Sequence, residues 1–381
     1  MRSYLDHNAT SPLRSEARGA LLAALDAPAA NASSMHAEGR FAKALLEAAR
    51  ANVAALAGAP PRDVVFTSGG SEAIAAAIRG VADRATSTRR RVVVSAIEHS
   101  AVLEAARALS PLGFEIVGVP CPPSGRVDAE AFAARLDEHT ALACLQAANN
   151  ETGVLQPVAE AGVACRAAGV PFLVDAVQGA GKIPIDRDRW NADLLALSAH
   201  KLGGPQGAGA LIVRAGVAMA PLIAGGAQER RRRGGTEAVA TIFAFGAACA
   251  AAARVLENES ARLLALRLRL ESAFRAMAPG VRIHGEDVPR LPNTTNAAFP
   301  GVSGETLVIA LDLAGFAVST GSACASGAVT PSHVIRAMGY GEVEARGAVR
   351  ISLGWSTTED TIERLLAALP RILARATMAG R

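Results

Sequence analysis

The run Leu-Leu-Ala-Leu-Ser-Ala-His-Lys-Leu-Gly-Gly-Pro, residues 194–205, carries one of only three lysines in 381 residues. The others are Lys43 and Lys182, and the rest of the 39 basic residues are arginine. An arginine stays protonated in proteins, whereas a lysine can lose its proton and act as a nucleophile or a base. Lys201 therefore stands out as a candidate amine, placed after a short apolar run and beside Ser198 and His200. The bland alternative is a surface lysine that escaped a general replacement by arginine. Two further segments bear on the choice. Phe66-Thr-Ser-Gly-Gly-Ser-Glu72 follows one apolar run and opens a helical pattern, so its backbone N–H groups around Gly70, with the Ser71 hydroxyl, make an anion site. Val174-Asp175-Ala-Val-Gln178 sets a carboxylate at the end of another run with a glutamine three residues on. An aspartate there equally suits the cap of a following helix.

These segments need a scaffold that brings them together. Between about residues 60 and 215, short apolar runs alternate with Ala-rich helical patterns. Strands are expected at 64–67, 92–95, 114–119, 142–146, 172–175, 194–198 and 210–213. Helices are expected at 72–83, 101–109, 128–137 and 158–168. The alternation predicts an α/β layered domain on a mainly parallel sheet, with ligands beyond the carboxyl ends of its strands. A long helical passage, about 239–277, leads to a smaller α+β domain with strands near 281–284, 295–299, 316–319 and 349–353 and a last helix at 358–376. The expected division is an N-terminal arm (1–14) packing with the small domain, a large domain (15–255) and a small C-terminal domain (256–381).

Composition narrows the class. A net charge of +4 argues against a nucleic-acid partner, and the Arg230–Arg233 run reads as a phosphate contact or a solvated loop. Five cysteines without a C-x-x-C pair indicate neither a disulfide framework nor a zinc site. The N-terminus has no apolar signal-peptide core. The uncharged Ala-rich run from Ala238 to Ala253 is shorter than the ~18–20 apolar residues of a membrane span. A cytoplasmic protein without a membrane partner is the expectation.

A phosphate cradle, a carboxylate able to keep a pyridine nitrogen protonated and a Schiff-base lysine are what a protein contributes to pyridoxal phosphate chemistry. Over nearly its whole length the chain resembles the cysteine desulfurases, in the class V aminotransferase family of fold-type I pyridoxal phosphate enzymes. The resemblance rests on Tyr4-Leu-Asp-His-Asn-Ala-Thr10, Ala32-Ser-Ser-Met-His36, Ser68-Gly-Gly-Ser-Glu72, Glu98-His99, Asn149-Asn-Glu-Thr-Gly153 and Asp175-Ala-Val-Gln178. It continues through Ser198-Ala-His-Lys201, Gly225-Gly-Ala-Gln-Glu229, Gly235-Thr-Glu237, Ser322-Ala-Cys-Ala-Ser-Gly327, Pro331-Ser-His-Val-Ile-Arg-Ala-Met-Gly339 and Arg350-Ile-Ser-Leu-Gly354. Departures are Ser71 for a frequent Thr, Ala32 for a frequent Pro and Ala238 for a frequent Asn.

The resemblance implies roles at the matching positions. Lys201 binds the cofactor covalently, Asp175 pairs with the pyridine nitrogen and Gln178 with the ring hydroxyl. His99 stacks on the ring and exchanges protons. Gly70, Ser71, Ser198 and His200 hold the phosphate, and Thr236 reaches it from the partner subunit of a homodimer. Asn150 and Arg350 bind the substrate carboxylate, with Asn150 also at the cofactor. Taken alone, His99 equally suits a buried residue at a helix start, and Arg350 a strand-edge ion pair.

Cys324 separates sulfur chemistry from transamination. Cys144, Cys165 and Cys249 lie in strand or helix patterns where free cysteine is inert, and Cys121 sits in a Pro-rich loop. Around Cys324, glycines at 315, 321 and 327 and small side chains suggest a segment able to expose its sulfur, as an attacking thiolate requires. The resemblance implies that Cys324 takes the substrate sulfur of L-cysteine as a persulfide, leaves L-alanine, and hands the sulfur to a scaffold or carrier protein. Another class V enzyme, an aminotransferase or selenocysteine lyase, and a catalytically silent sulfur-assembly partner are the rival readings.

Overall fold

The computed structural model describes residues 2–320 and 331–379. The chain opens with β1 (Ser3–Tyr4), α1 (Ser15–Leu25) and α2 (Ala37–Leu56). Strands and helices then alternate: β2 (Val64–Thr67), α3 (Gly70–Ala82), β3 (Arg91–Ser95), α4 (Ser100–Arg107), β4 (Glu115–Val119), α5 (Ala129–Ala133), β5 (Thr140–Gln146), α6 (Val158–Ala168), β6 (Phe172–Asp175), β7 (Leu194–Ser198) and β8 (Gly209–Val213). Strands β2 to β8 form one seven-stranded sheet in the order β2-β8-β7-β6-β5-β3-β4. Only β8 opposes its neighbours, so the sheet is mainly parallel, as the alternating pattern predicts. Strands β5 to β8 are buried at every residue, which is why they read as continuous Leu, Val and Ala runs rather than alternating ones.

Two local outcomes differ from the sequence pattern. Helix α5 ends at Ala133 rather than near 137. The Asp137 carboxylate accepts hydrogen bonds from the His139 N–H and the Thr140 hydroxyl, and this local bonding draws the chain into a turn. The strand expected over 316–319 is two residues long, β11 (Phe316–Ala317), with Ser319 joined to Arg350 by an isolated bridge. Helices α1 and α2 lie before the alternating region and cover one side of the large core.

Helix α7 (Val239–Met277) is about 58 Å long at 1.5 Å per residue. By length and composition it could cross a membrane. Its Phe245, Ala248 and Ala252 instead share a core with Leu46, Ala49 and Val53 of α2. Gly246 makes that approach possible, since a Cβ there would lie 2.4 Å from the Ala49 Cα. Further along, Leu266, Leu270 and Phe274 enter a second core with Phe299, Ile351 and Leu365. That core lies over a three-stranded antiparallel sheet, β12-β10-β9, built from β9 (Arg282–Ile283), β10 (Thr294–Ala298) and β12 (Ala348–Ser352). Helices α8 (Gly304–Leu313), α9 (His333–Ala337), α10 (Glu342–Gly347) and α11 (Glu359–Ala379) complete it. The N-terminal arm joins this second body: β1 pairs with β11, Asp6 bridges to Ser352, and Leu5 is fully buried in its core.

One buried ion pair ties the loop before α7 to the large sheet. Arg50 of α2 meets both carboxylate oxygens of Glu229 at 2.8 Å, and Glu229 also accepts the Phe66 N–H at 2.8 Å. Glu229, Arg230 and Arg231 all hold positive φ, a left-handed backbone that costs non-glycine residues roughly 1–2 kcal/mol each. The bidentate pair holds them there. Glu229→Ala leaves Arg50 buried with only the half-exposed Glu47 carboxylate as an ionic partner, and destabilises the protein by about 3 kcal/mol in urea denaturation. A loss below about 1 kcal/mol would show that the pair does not anchor the loop.

Candidate active site

The carboxyl ends of β3, β5, β6 and β7 open into a cavity of about 810 Å³, roofed by the N-terminal arm and residues of the second body. Helix α3 begins on its wall. No side chain caps this helix, and a Cβ on Gly70 would meet Val177 Cγ2 at 2.9 Å and Ser198 Cβ at 3.3 Å. Only glycine allows the helix start to sit this close to two neighbouring strand ends, where its free N–H groups form an anion site beside the Ser71 and Ser198 hydroxyls.

Asp175 ends β6 and is only 7% exposed. Among the described residues its carboxylate accepts one hydrogen bond, from the Val177 N–H at 3.0 Å. Turns follow rather than a helix, so this bond caps a turn and not a helix. Burial raises its pKa, opposed by the His99 and Lys201 charges. His99 caps α4, its Nδ1 accepting the Ala101 N–H at 3.1 Å, which leaves Nε2 as the protonated nitrogen of the neutral ring. Burial, with Lys201 and His333 adding to it, lowers its pKa.

Lys201 follows β7 on a short 3₁₀ turn with Ala199 and His200. Its Nζ donates to the Asn8 and Ala9 carbonyls at 2.8 and 2.7 Å. Burial and the nearby Arg350 bring its pKa down to about 8, against the opposing pull of Asp6 and Asp175. His200, bonded through Nδ1 to Thr10 Oγ1, is held down to about 4 by burial and the two neighbouring lysines. Gln178 donates through Nε2 to the Asn8 carbonyl at 2.9 Å. Arg350 of β12 donates to the Asn150 carbonyl at 3.0 Å and to Asp6 at 2.7 Å, while its buried Nε–H has no partner among the described residues.

Gly70, Ser71, His99, Asn150, Asp175, Gln178, Ser198, His200, Lys201 and Arg350 thus line one cavity. Thr236 is exposed and outside that lining. Cys324 lies outside the described residues. Sequence reasoning passed over Asn8, Gln146, Glu151 and His333, which also line the site. Asn8 acts through its backbone carbonyl, which carries no signal in residue type. Glu151 accepts a hydrogen bond from Ser332 at 2.6 Å, and His333 meets the Glu98 carbonyl at 3.0 Å. Glu98 itself is fully buried, and burial pushes its pKa up to about 8.

The model of the family "Aminotransferase class-V" matches residues 3–365. The chain belongs to the class-V aminotransferases. It is 44% identical over 374 residues to the cysteine desulfurase of Cereibacter sphaeroides, covering 98% of this chain and 96% of that one. A solved NifS-like protein superposes with a TM-score of 0.92 at 34% identity, over 98% of this chain and 100% of the other. SspA, solved in complex with cysteine, superposes with a TM-score of 0.82 at 31% identity, over 93% and 99%. Class-V aminotransferases depend on pyridoxal phosphate, and the donor set fits that group. The uncapped α3 start suits a phosphate, the buried Asp175 suits a cationic ring nitrogen, and Lys201 supplies an amine.

A lysine titrating near 8 is mostly ionised at pH 7 and mostly a free amine at pH 9. Competitive labelling of the cofactor-free class-V protein with an amine reagent, read by peptide mass spectrometry, gives Lys201 a midpoint near pH 8. A midpoint near the ordinary ~10.4 would contradict the geometry.

Proposed function

We propose that this chain is a pyridoxal phosphate-dependent cysteine desulfurase. It converts L-cysteine to L-alanine and passes the sulfur through Cys324 to an acceptor protein of iron–sulfur cluster or other thio-cofactor assembly. It works as a homodimer in the cytoplasm. The observation that carries the reading is the meeting of the Lys201 amine and the buried Asp175 carboxylate in one cavity beside an uncapped helix start.

When bound, pyridoxal phosphate supplies an electron sink for the substrate Cα. The chain's own residues do the rest. The Gly70 N–H, Ser71, Ser198 and His200 hold the phosphate, and Thr236 reaches it from the other subunit. Asp175 keeps the ring nitrogen protonated, and Gln178 donates to the ring oxygen. His99, its pKa lowered chiefly by burial, covers the ring and moves protons at the substrate. Arg350 and Asn150 fix the substrate carboxylate. Lys201 removes the Cα proton, and the Cys324 thiolate attacks the substrate sulfur. The Cβ–Sγ bond breaks as the S–S bond forms, protons return to carbon, and alanine leaves with the persulfide on Cys324. Neither free sulfide nor an external oxidant is needed.

The other cysteines are poor nucleophiles. All four are buried, with the Cys121 and Cys165 thiols pushed up to about 12 by burial and those of Cys144 and Cys249 also raised. A brief exposure of the enzyme to L-cysteine followed by peptide mass spectrometry therefore finds one added sulfur, on the Cys324 peptide. Cys324→Ala still binds cysteine and exchanges its Cα proton, but forms no persulfide and releases no alanine catalytically. Sulfur on another cysteine, or normal turnover by Cys324→Ala, would overturn the desulfurase reading in favour of a lyase or aminotransferase.

A further inference from the structure

Lys182, one of the three lysines, is buried on the turn that follows β6 and Asp175. No carboxylate lies within ion-pair distance of it among the described residues, although burying an unpaired ammonium is costly. Its Nζ instead donates to two oxygens of one residue, the Gln178 carbonyl and the Gln178 Oε1, both at 3.0 Å. The other end of the same side chain, Nε2, donates to the Asn8 carbonyl at 2.9 Å. The Ser260 hydroxyl of α7 in turn holds the Lys182 carbonyl at 2.7 Å.

These contacts leave the Gln178 amide one orientation. In the flipped state its oxygen would face the Asn8 carbonyl, acceptor against acceptor, and the Lys182 amine would lose its Oε1 acceptor. With Oε1 on Lys182 and one N–H on Asn8, the second N–H of Gln178 remains for the cavity that the residue lines. We propose that Lys182 is a positioning residue, fixing the Gln178 amide so that it presents a donor to an anionic ring oxygen in the cavity. The proposal rests on the reading of Gln178 as the partner of that oxygen.

The choice of lysine follows from the surroundings. Burial, together with Lys201 and Arg350, brings the Lys182 amine down to about 7. An amine donates two hydrogen bonds with or without its charge, whereas a guanidinium would hold its charge against the same cations. That accounts for a lysine here in a chain that otherwise uses arginine.

A double-mutant cycle on pyridoxal phosphate affinity, measured by titrating the cofactor-free protein, tests the proposal. Lys182→Met is expected to weaken binding about tenfold, the scale of one charge-assisted hydrogen bond. Thermal stability of the cofactor-free protein should change little, because the cost of burying the amine is removed together with the hydrogen bonds it gives to Gln178. Gln178→Ala should weaken binding similarly, and the double variant should bind no worse than Gln178→Ala alone. Wild-type affinity in Lys182→Met, or losses that multiply in the double variant, would overturn the proposal. If Gln178→Ala binds the cofactor as the wild type does, the reading of Gln178 fails and takes the proposal with it. If Gln178→Ala weakens binding and Lys182→Met does not, the proposal alone fails. Should Lys182→Met not fold, Lys182→Gln carries the same cycle; it keeps an N–H donor, so its loss should be smaller than that of Gln178→Ala.

Discussion

Asp175 is a carboxylate taken almost wholly out of water, held among the described residues by a single backbone N–H. Burial without a hydrogen-bonded cation raises a carboxyl group's pKa and costs stability. The site bears that cost because the surrounding charges fall just short of neutralising it. Lys201 gives its hydrogen bonds to the arm carbonyls, and His99 spends its Nδ1 on the α4 cap. A group arriving with a protonated ring nitrogen would give this carboxylate a cationic partner. Much of the architecture maintains this unsatisfied carboxylate: a parallel sheet that carries it to a strand end, a glycine that brings the α3 start alongside, and a roof that limits water.

The roof comes from elsewhere in the chain. The Asn8 carbonyl accepts hydrogen bonds from both Lys201 and Gln178, so one peptide of the arm sets the position of two cavity side chains. The Asn8 side chain reaches the Asn150 carbonyl and Thr294, and its N–H bonds Ser352. Asp6 pairs with Arg350 two strand positions away. The arm is therefore a clasp between the large sheet and the β12 sheet, and α7 joins the same two bodies from behind through its two cores. Displacing the arm would alter both the Lys201 amine and the Arg350 guanidinium at once.

Much of this was legible in the sequence because chemistry and strand ends coincide there. Asp175, Ser198 and Lys201 each follow a run of buried residues, and Gly70 and Ser71 follow another, so a parallel sheet brings them together without further information. The residues that escaped notice act over long sequence separations or through groups common to every residue. Asn8 works by its carbonyl. Glu151 and His333 meet Ser332 and Glu98 only once the second body has docked. The early end of α5 came from a carboxylate competing with the helix, which apolar spacing does not encode. Thr236 is exposed and lies outside the cavity lining.

The measurement that bears most directly on this account is alanine formation from L-cysteine by Asp175→Asn, with cofactor content determined on the same sample. An amide fills the same space and can keep the Val177 N–H as a partner, but it cannot hold a pyridinium proton as a carboxylate does. The account predicts a folded protein that retains cofactor and loses alanine formation by roughly 10²-fold or more, the scale on which removing one preorganised electrostatic contact acts. Near-wild-type alanine formation by a cofactor-loaded Asp175→Asn enzyme would contradict it.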